Sequence, residues 1–248
     1  MRKLPRIAAA LLALLLLSSC ASTPGSGKIS ILYVGNSFVY TGNVPKQVRV
    51  LAKMYGVDCV YRSITKGGGS LSDTKNATWR AMDKKQYTYV VIQDYGTRPG
   101  SDGFFVDVAD LCGKAHETGA VPVLYSPAWT NTDAVPHRQS QKEYTDAYLE
   151  AAALNGALLV NAGDAWVYAY DTIEGIDLYK ENDYHANNAG AYLTACVFAS
   201  TLFDIHVRDA TKKNRYSGEL AIPLGQAAWE FVNYFNENGC GYDILAGS

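Results

Sequence analysis

The sequence predicts a single α/β domain: a three-layer α/β/α sandwich around a five-stranded, mainly parallel sheet. Three observations predict it. Short apolar, β-branched or aromatic runs recur five times, longer stretches of helical period alternate with them, and no repeat, low-complexity block or second linker divides the chain after residue 28. Runs of this kind are how central parallel strands read, because helices cover both faces of such a sheet. A doubly wound domain spanning residues 28–248 is the economical solution.

In order, Ile29 to Val34 is the first strand and Val44 to Tyr55 the helix after it, closed at Gly56. Val57 to Ile64 is the second strand, and a glycine run leads from it into a helix over Leu71 to Lys84. Tyr87 to Gln93 is the third strand. The helix Phe104 to His116 ends near Gly119, where a left-handed residue closes a last turn at little cost. Val121 to Tyr125, the helix Gln139 to Leu154 and the strand Ala157 to Asn161 complete the sheet. Two late helices, Asn188 to Leu202 and Gln226 to Phe235, should pack on the sheet or on each other.

The N-terminus reads differently. Arg2, Lys3 and Arg6 precede an apolar run from Ile7 to Leu17, followed by Ser18-Ser19-Cys20. Basic residues, a short apolar core and small residues describe a secretory signal over residues 1–19, since a membrane span needs ~20 apolar residues. Leu17-Ser18-Ser19-Cys20 further resembles the bacterial lipobox. That resemblance implies lipidation of Cys20, with residues 20–27 as a tether, and an exported lipoprotein anchored on the extracytoplasmic side of a membrane. Removing residues 1–19 takes three of the 22 basic groups and none of the 24 acidic ones, so 19 against 24 gives a net charge of −5. Such a balance argues against a nucleic-acid partner, which would call for a basic excess.

Cys59, Cys112, Cys196 and Cys240 are too widely spaced for paired zinc ligands, so no metal is expected. They read as buried thiols rather than disulfides.

In open α/β sheets the chemistry gathers where strands end. The first such turn is Gly35-Asn36-Ser37, which presents a hydroxyl near a helix start, where free N–H groups stabilise an oxyanion. The second is Gly67-Gly68-Gly69-Ser70; it lacks the lysine placement of a phosphate-binding loop. The third, Gln93-Asp94, ends an apolar strand with an amide and a carboxylate, either for use in a site or to cap a loop. The most informative stretch is Glu181-Asn182-Asp183-Tyr184-His185, just ahead of a helix that Asn187 or Asn188 can cap. Of the four histidines, only His185 has acids two and four residues upstream. A base oriented by an acid is what a serine nucleophile needs. Helix-end or loop positions suffice to explain His116, His137 and His206.

Together these blocks resemble the SGNH hydrolases, also called GDSL-like esterases, over roughly residues 28–203. The resemblance implies a serine esterase without cofactor: Ser37 as nucleophile, His185 as base, and Gly68 with Gln93 at the oxyanion beside the Ser37 N–H. It also implies an acyl ester substrate, such as an O-acetyl group on a carbohydrate, against which Tyr95, Trp129 and Trp166 could stack. Two departures stand out. Gln93 replaces the Asn of the family's third block, and Asn182 occupies the position of the family's acid. That leaves Asp183, Glu181 or a backbone carbonyl to orient the ring, with Asp183 the nearest. A glycan-binding or structural lipoprotein that keeps the fold without the chemistry is the rival reading, and a flavodoxin-like cofactor domain a third.

Overall fold

The computed structural model describes residues 27–96, 98–128, 138–207 and 218–238. Cys20, the signal and tether segments, Trp129, His137 and Cys240 lie outside them, so the expectations placed there are not addressed by the structure.

The chain runs β1 (Ile29–Gly35), a one-turn helix α1 (Ser37–Tyr40), a 3-10 turn (Thr41–Asn43) and α2 (Val44–Met54). It continues through β2 (Cys59–Thr65), α3 (Leu71–Lys84), β3 (Tyr89–Ile92), α4 (Asp102–Glu117), β4 (Val121–Ser126), α5 (Arg138–Asn155) and β5 (Leu158–Asn161). Helices α6 (Ala162–Thr172), α7 (Asn188–Phe203) and α8 (Ala221–Asn238) follow. The five strands form one sheet in the order β2-β1-β3-β4-β5, and every pairing is parallel. The predicted three-layer class is therefore the observed one.

Alternation along β1 divides the core. Ile31 and Tyr33 face the layer of α2, α6, α7 and α8, whereas Leu32 and Val34 face α3, α4 and α5. Helix α7 is apolar on nearly all sides because it lies on the sheet with α2, α6 and α8 packed around it. Gly56 and Gly119 take the left-handed conformation their helix-end positions require, with φ of 83° and 76°. β2 is an edge strand, half exposed through Tyr61, Arg62 and Ser63, and it starts two residues later than its apolar pattern suggests.

Two helices escape the sequence pattern. α1 is too short to show a period, and α6 follows β5 without a break. Asn161 both ends that strand and caps the helix by accepting from Asp164 N–H at 3.3 Å. Cys59, Cys112 and Cys196 are free, buried thiols, their pKa values pushed up by burial to about 11, about 12 and about 12. No helix among the described residues is long and apolar enough to cross a membrane.

Candidate active site

The residues singled out by the sequence gather at the carboxyl end of the sheet. Ser37 opens α1 directly after β1. Asn36 caps that turn: its Oδ1 accepts from Phe38 N–H at 3.1 Å, and its Nδ2 donates to the Gly69 carbonyl at 3.2 Å. Asn36 N–H in turn donates to Gln93 Oε1 at 3.0 Å. One buried asparagine thus ties together the ends of β1, β2 and β3. The approach is possible because residue 35 is glycine; a Cβ there would lie 2.4 Å from Gln93 Oε1 and 2.9 Å from the Gln93 carbonyl.

Gln93 is wholly buried. Its oxygen holds Asn36, and its Nε2 donates to the Asp94 carbonyl. The sequence expectation gave this amide to the oxyanion; the structure turns it inward, and the residue's visible work is to fix the serine turn. The Ser37 and Gly68 N–H groups have no hydrogen-bond partner among the described residues. Gly68 sits in open space with φ of 62°, a left-handed turn residue of the glycine loop. Asp94 caps a loop: its Oδ1 accepts from Leu71 N–H at 2.9 Å and Tyr95 N–H at 2.7 Å, and Arg98 pairs with it at 3.0 Å. Burial raises its carboxyl above the usual range, outweighing those donors.

His185 stands on a hairpin facing the Ser37 turn. Lys180 N–H donates to the His185 carbonyl at 2.9 Å, Tyr179 bridges to Ala186, and Asn187 N–H donates to the Leu178 carbonyl at 2.9 Å. Asn187 caps α7 by accepting from Ala189 and Gly190 N–H at 2.9 and 3.0 Å. The hairpin is therefore tied through Asn187 to the N-terminus of the buried helix α7. Gly42 completes the fit: with φ of 71° it lies against α7 so closely that a Cβ would come 2.3 Å from Ala191 Cβ.

At the hairpin tip Asn182 adopts a left-handed φ of 54°, which asparagine tolerates, and Asp183 N–H donates back to the Lys180 carbonyl at 3.1 Å. That turn brings Asp183 Oδ1 to 2.7 Å from His185 Nδ1 and 3.1 Å from His185 N–H. Burial raises the Asp183 carboxyl, but its hydrogen bonds from the His185 ring and backbone, helped by the charges of His185 and Lys180, outweigh this and hold it below the usual value. Glu181 is exposed and makes no hydrogen bond to the ring. The departure at position 182 is thus resolved locally: Asn182 makes the turn, and the next residue meets the histidine.

The His185 ring packs 5.7 Å from Phe38 and 4.4 Å from Tyr184, centroid to centroid. Its Nε2 is buried without a hydrogen-bond partner, and no hydrogen bond joins it to Ser37 Oγ. Beneath Phe38 and His185 is a recess of about 10 Å³ lined by Val44, Tyr125, Ala128, Trp166 and Thr194. Trp166 is buried, its Nε1 donating to Thr194 Oγ1 at 3.1 Å, so it supports the hairpin through Tyr179 instead of offering a stacking face. Tyr95 is exposed. Among the described residues no cluster of three or more His, Cys, Asp or Glu is arranged to hold a metal ion.

The Gly35–Gln93 contact yields a test. Gly35→Ala forces the Gln93 carboxamide away from Asn36. It is expected to lower stability by about 1–3 kcal/mol, as overpacking does, and to reduce any activity at Ser37 more than tenfold. Urea unfolding and turnover on one preparation measure both.

No family model matches the chain, and no curated protein matches it by sequence. Solved structures do. A DUF4886 family protein from Bacteroides uniformis is 18% identical with a TM-score of 0.71, covering 85% of this chain and 96% of that one. A candidate SGNH hydrolase from Slackia heliotrinireducens is 24% identical with a TM-score of 0.60, covering 71% and 100%. An acetyl xylan esterase variant from Geobacillus stearothermophilus is 17% identical with a TM-score of 0.56, covering 73% and 97%. At such identities the likeness is one of fold, and the fold is that of the SGNH hydrolases.

Proposed function

We propose that the chain is a serine esterase, exported and held at a membrane by a lipid on Cys20, that removes small acyl groups such as O-acetyl from carbohydrates. The observation that carries the reading is the Asp183–His185 pair, 2.7 Å apart, with the far ring nitrogen sheltered and unpartnered beside the turn that bears Ser37.

In this mechanism Asp183 accepts from His185 Nδ1–H, leaving Nε2 as the lone-pair base. Nε2 takes the Ser37 proton as Oγ bonds to the ester carbonyl carbon. The Ser37 and Gly68 N–H groups receive the negative oxygen. The carbon–alkoxide bond breaks, and the proton on Nε2 passes to the leaving alcohol. Water, deprotonated by the same nitrogen, then adds to the acyl-serine, and Ser37 leaves with the proton. The Ser37–His185 contact has to tighten on substrate binding, as catalytic hydrogen bonds commonly do.

The narrow recess beside His185, lined by Phe38, Tyr125 and Ala128, favours a short acyl group such as acetyl over longer chains. Tyr184 and Tyr40 supply the exposed aromatic faces that a sugar ring stacks on. Tyr184 is 42% exposed against the His185 ring, and Tyr40 is 46% exposed with its Oη 2.9 Å from where a Gly67 Cβ would be. The acetyl xylan esterase of similar fold accords with this substrate class.

Hydrolysis of acetylated oligosaccharides against p-nitrophenyl acetate and p-nitrophenyl octanoate tests the reading; preference for acetyl is expected, and no turnover of any of the three contradicts it. Tyr184→Ala should raise KM for the oligosaccharide three- to tenfold, the loss of one stacking contact, with a smaller change for the aryl ester. The missing Ser37–His185 hydrogen bond favours a second reading, a glycan-binding protein without catalysis; it predicts retained oligosaccharide binding and no acetate release.

A further inference from the structure

At the amino end of β1 and β2, opposite the candidate active site, lies an open groove of about 490 Å³ lined by Lys28, Arg49, Lys53 and Asp58, at the point where the chain enters β1. Arg49 and Lys53 are one helical turn apart on the exposed side of α2, and Arg49 lies over the Tyr61 ring at 5.8 Å. Lys84 and Lys85, also exposed, end α3 on the other face of the sheet, next to Asp83, which pairs with Lys114 at 2.7 Å, so they are not part of the groove. Asp58 is the one acid that lines the groove, and it is paired with Lys28 at 3.7 Å, which leaves Arg49 and Lys53 as its unneutralised cations. A basic face on a chain of net negative charge concentrates attraction in one place.

This face is also where the link from Cys20 arrives. Seven residues separate Cys20 from Lys28, a reach of at most roughly 28 Å. Ser37 lies beyond the far end of β1, roughly 20 Å farther along the strand direction. The link alone permits many orientations; the charges select among them.

We infer that the groove edge docks on anionic phospholipid headgroups and so turns the candidate active site away from the membrane, toward esters on soluble or polymeric molecules rather than on the lipids beneath. This rests on the anchoring at Cys20 in the proposed function. Arg49 and Lys53, with Lys28 beside them, meet phosphates there, each cation near such a surface contributing independently of bilayer insertion.

Energy transfer from a fluorophore to acceptor-labelled headgroups tests it. The full lipidated chain, with Cys240→Ser, carries the fluorophore at Gln86→Cys near the groove edge or at Ser72→Cys near the site edge, on vesicles of phosphatidylcholine with or without 30% phosphatidylglycerol. On the anionic vesicles transfer is expected to be at least twofold more efficient from position 86 than from 72. The difference should vanish without phosphatidylglycerol and in the Arg49→Glu/Lys53→Glu variant, whose turnover of p-nitrophenyl acetate stays unchanged. Equal transfer from the two positions, greater transfer from 72, or a difference indifferent to lipid charge overturns the orientation. A mature chain whose intact mass carries no lipid on Cys20 overturns the anchoring itself, and loss of turnover in every sample bears on the esterase reading alone.

Discussion

Ser37→Ala is expected to lower kcat/KM for p-nitrophenyl acetate by at least ~10³-fold while leaving thermal unfolding within a few degrees. The hydroxyl has no structural work to lose: the turn is held by Asn36, through Phe38, Gly69 and Gln93. Its removal takes away the atom that becomes the acyl carrier. Residual catalysis from oxyanion donors and binding sets a floor, and in serine hydrolases the nucleophile carries several orders of magnitude above it. An unchanged rate in Ser37→Ala places the chemistry elsewhere.

The second large effect is expected at Asp183. Asp183→Asn keeps the size of the side chain but exchanges an acceptor for an amide that can donate, so His185 loses the preference for its Nδ1–H tautomer. Where an acid–histidine pair works this way, the loss reaches ~10⁴-fold in turnover. Glu181→Gln, one residue before the turn and without contact to the ring, should change turnover less than twofold. The two variants together decide between the acids that the sequence leaves open. Hydrogen bonding holds the folded Asp183 carboxyl below its unfolded value. Its contribution to stability is therefore complete above an ordinary aspartate value of about 3.9 and disappears as pH falls through the lower folded value. At neutral pH the carboxylate is charged in both states, so a pH-rate profile between 6 and 9 should show no step from it.

What the sequence made legible followed from pattern strength. Five apolar runs and their intervening periods were enough for the sheet and its class, because burial on both faces of the inner strands β1, β3 and β4 leaves an unambiguous composition. The one-turn α1 has no period to detect, and β5 passes into α6 through Asn161 with no glycine or proline between them. At the site, Ser37 and His185 stood out as residue types in a loop setting. The part of Asn36 and the fit of Gly42 against Ala191 did not, since both depend on which distant backbone approaches. Gln93 illustrates the limit: an amide at a strand end advertises a donor, yet only the fold tells which acceptor it meets. Trp166 shows the same for exposure, since an aromatic beyond a strand end reads alike whether it faces a sugar or the core.

On the proposed mechanism Ser37 is an activated nucleophile. Intact-mass and peptide mapping after reaction with a fluorophosphonate tests it most directly. One covalent adduct is expected, on the peptide that contains Ser37, formed at least a hundredfold more slowly in His185→Ala and absent in Ser37→Ala. No adduct on the native chain, or an adduct that persists in Ser37→Ala, would contradict it.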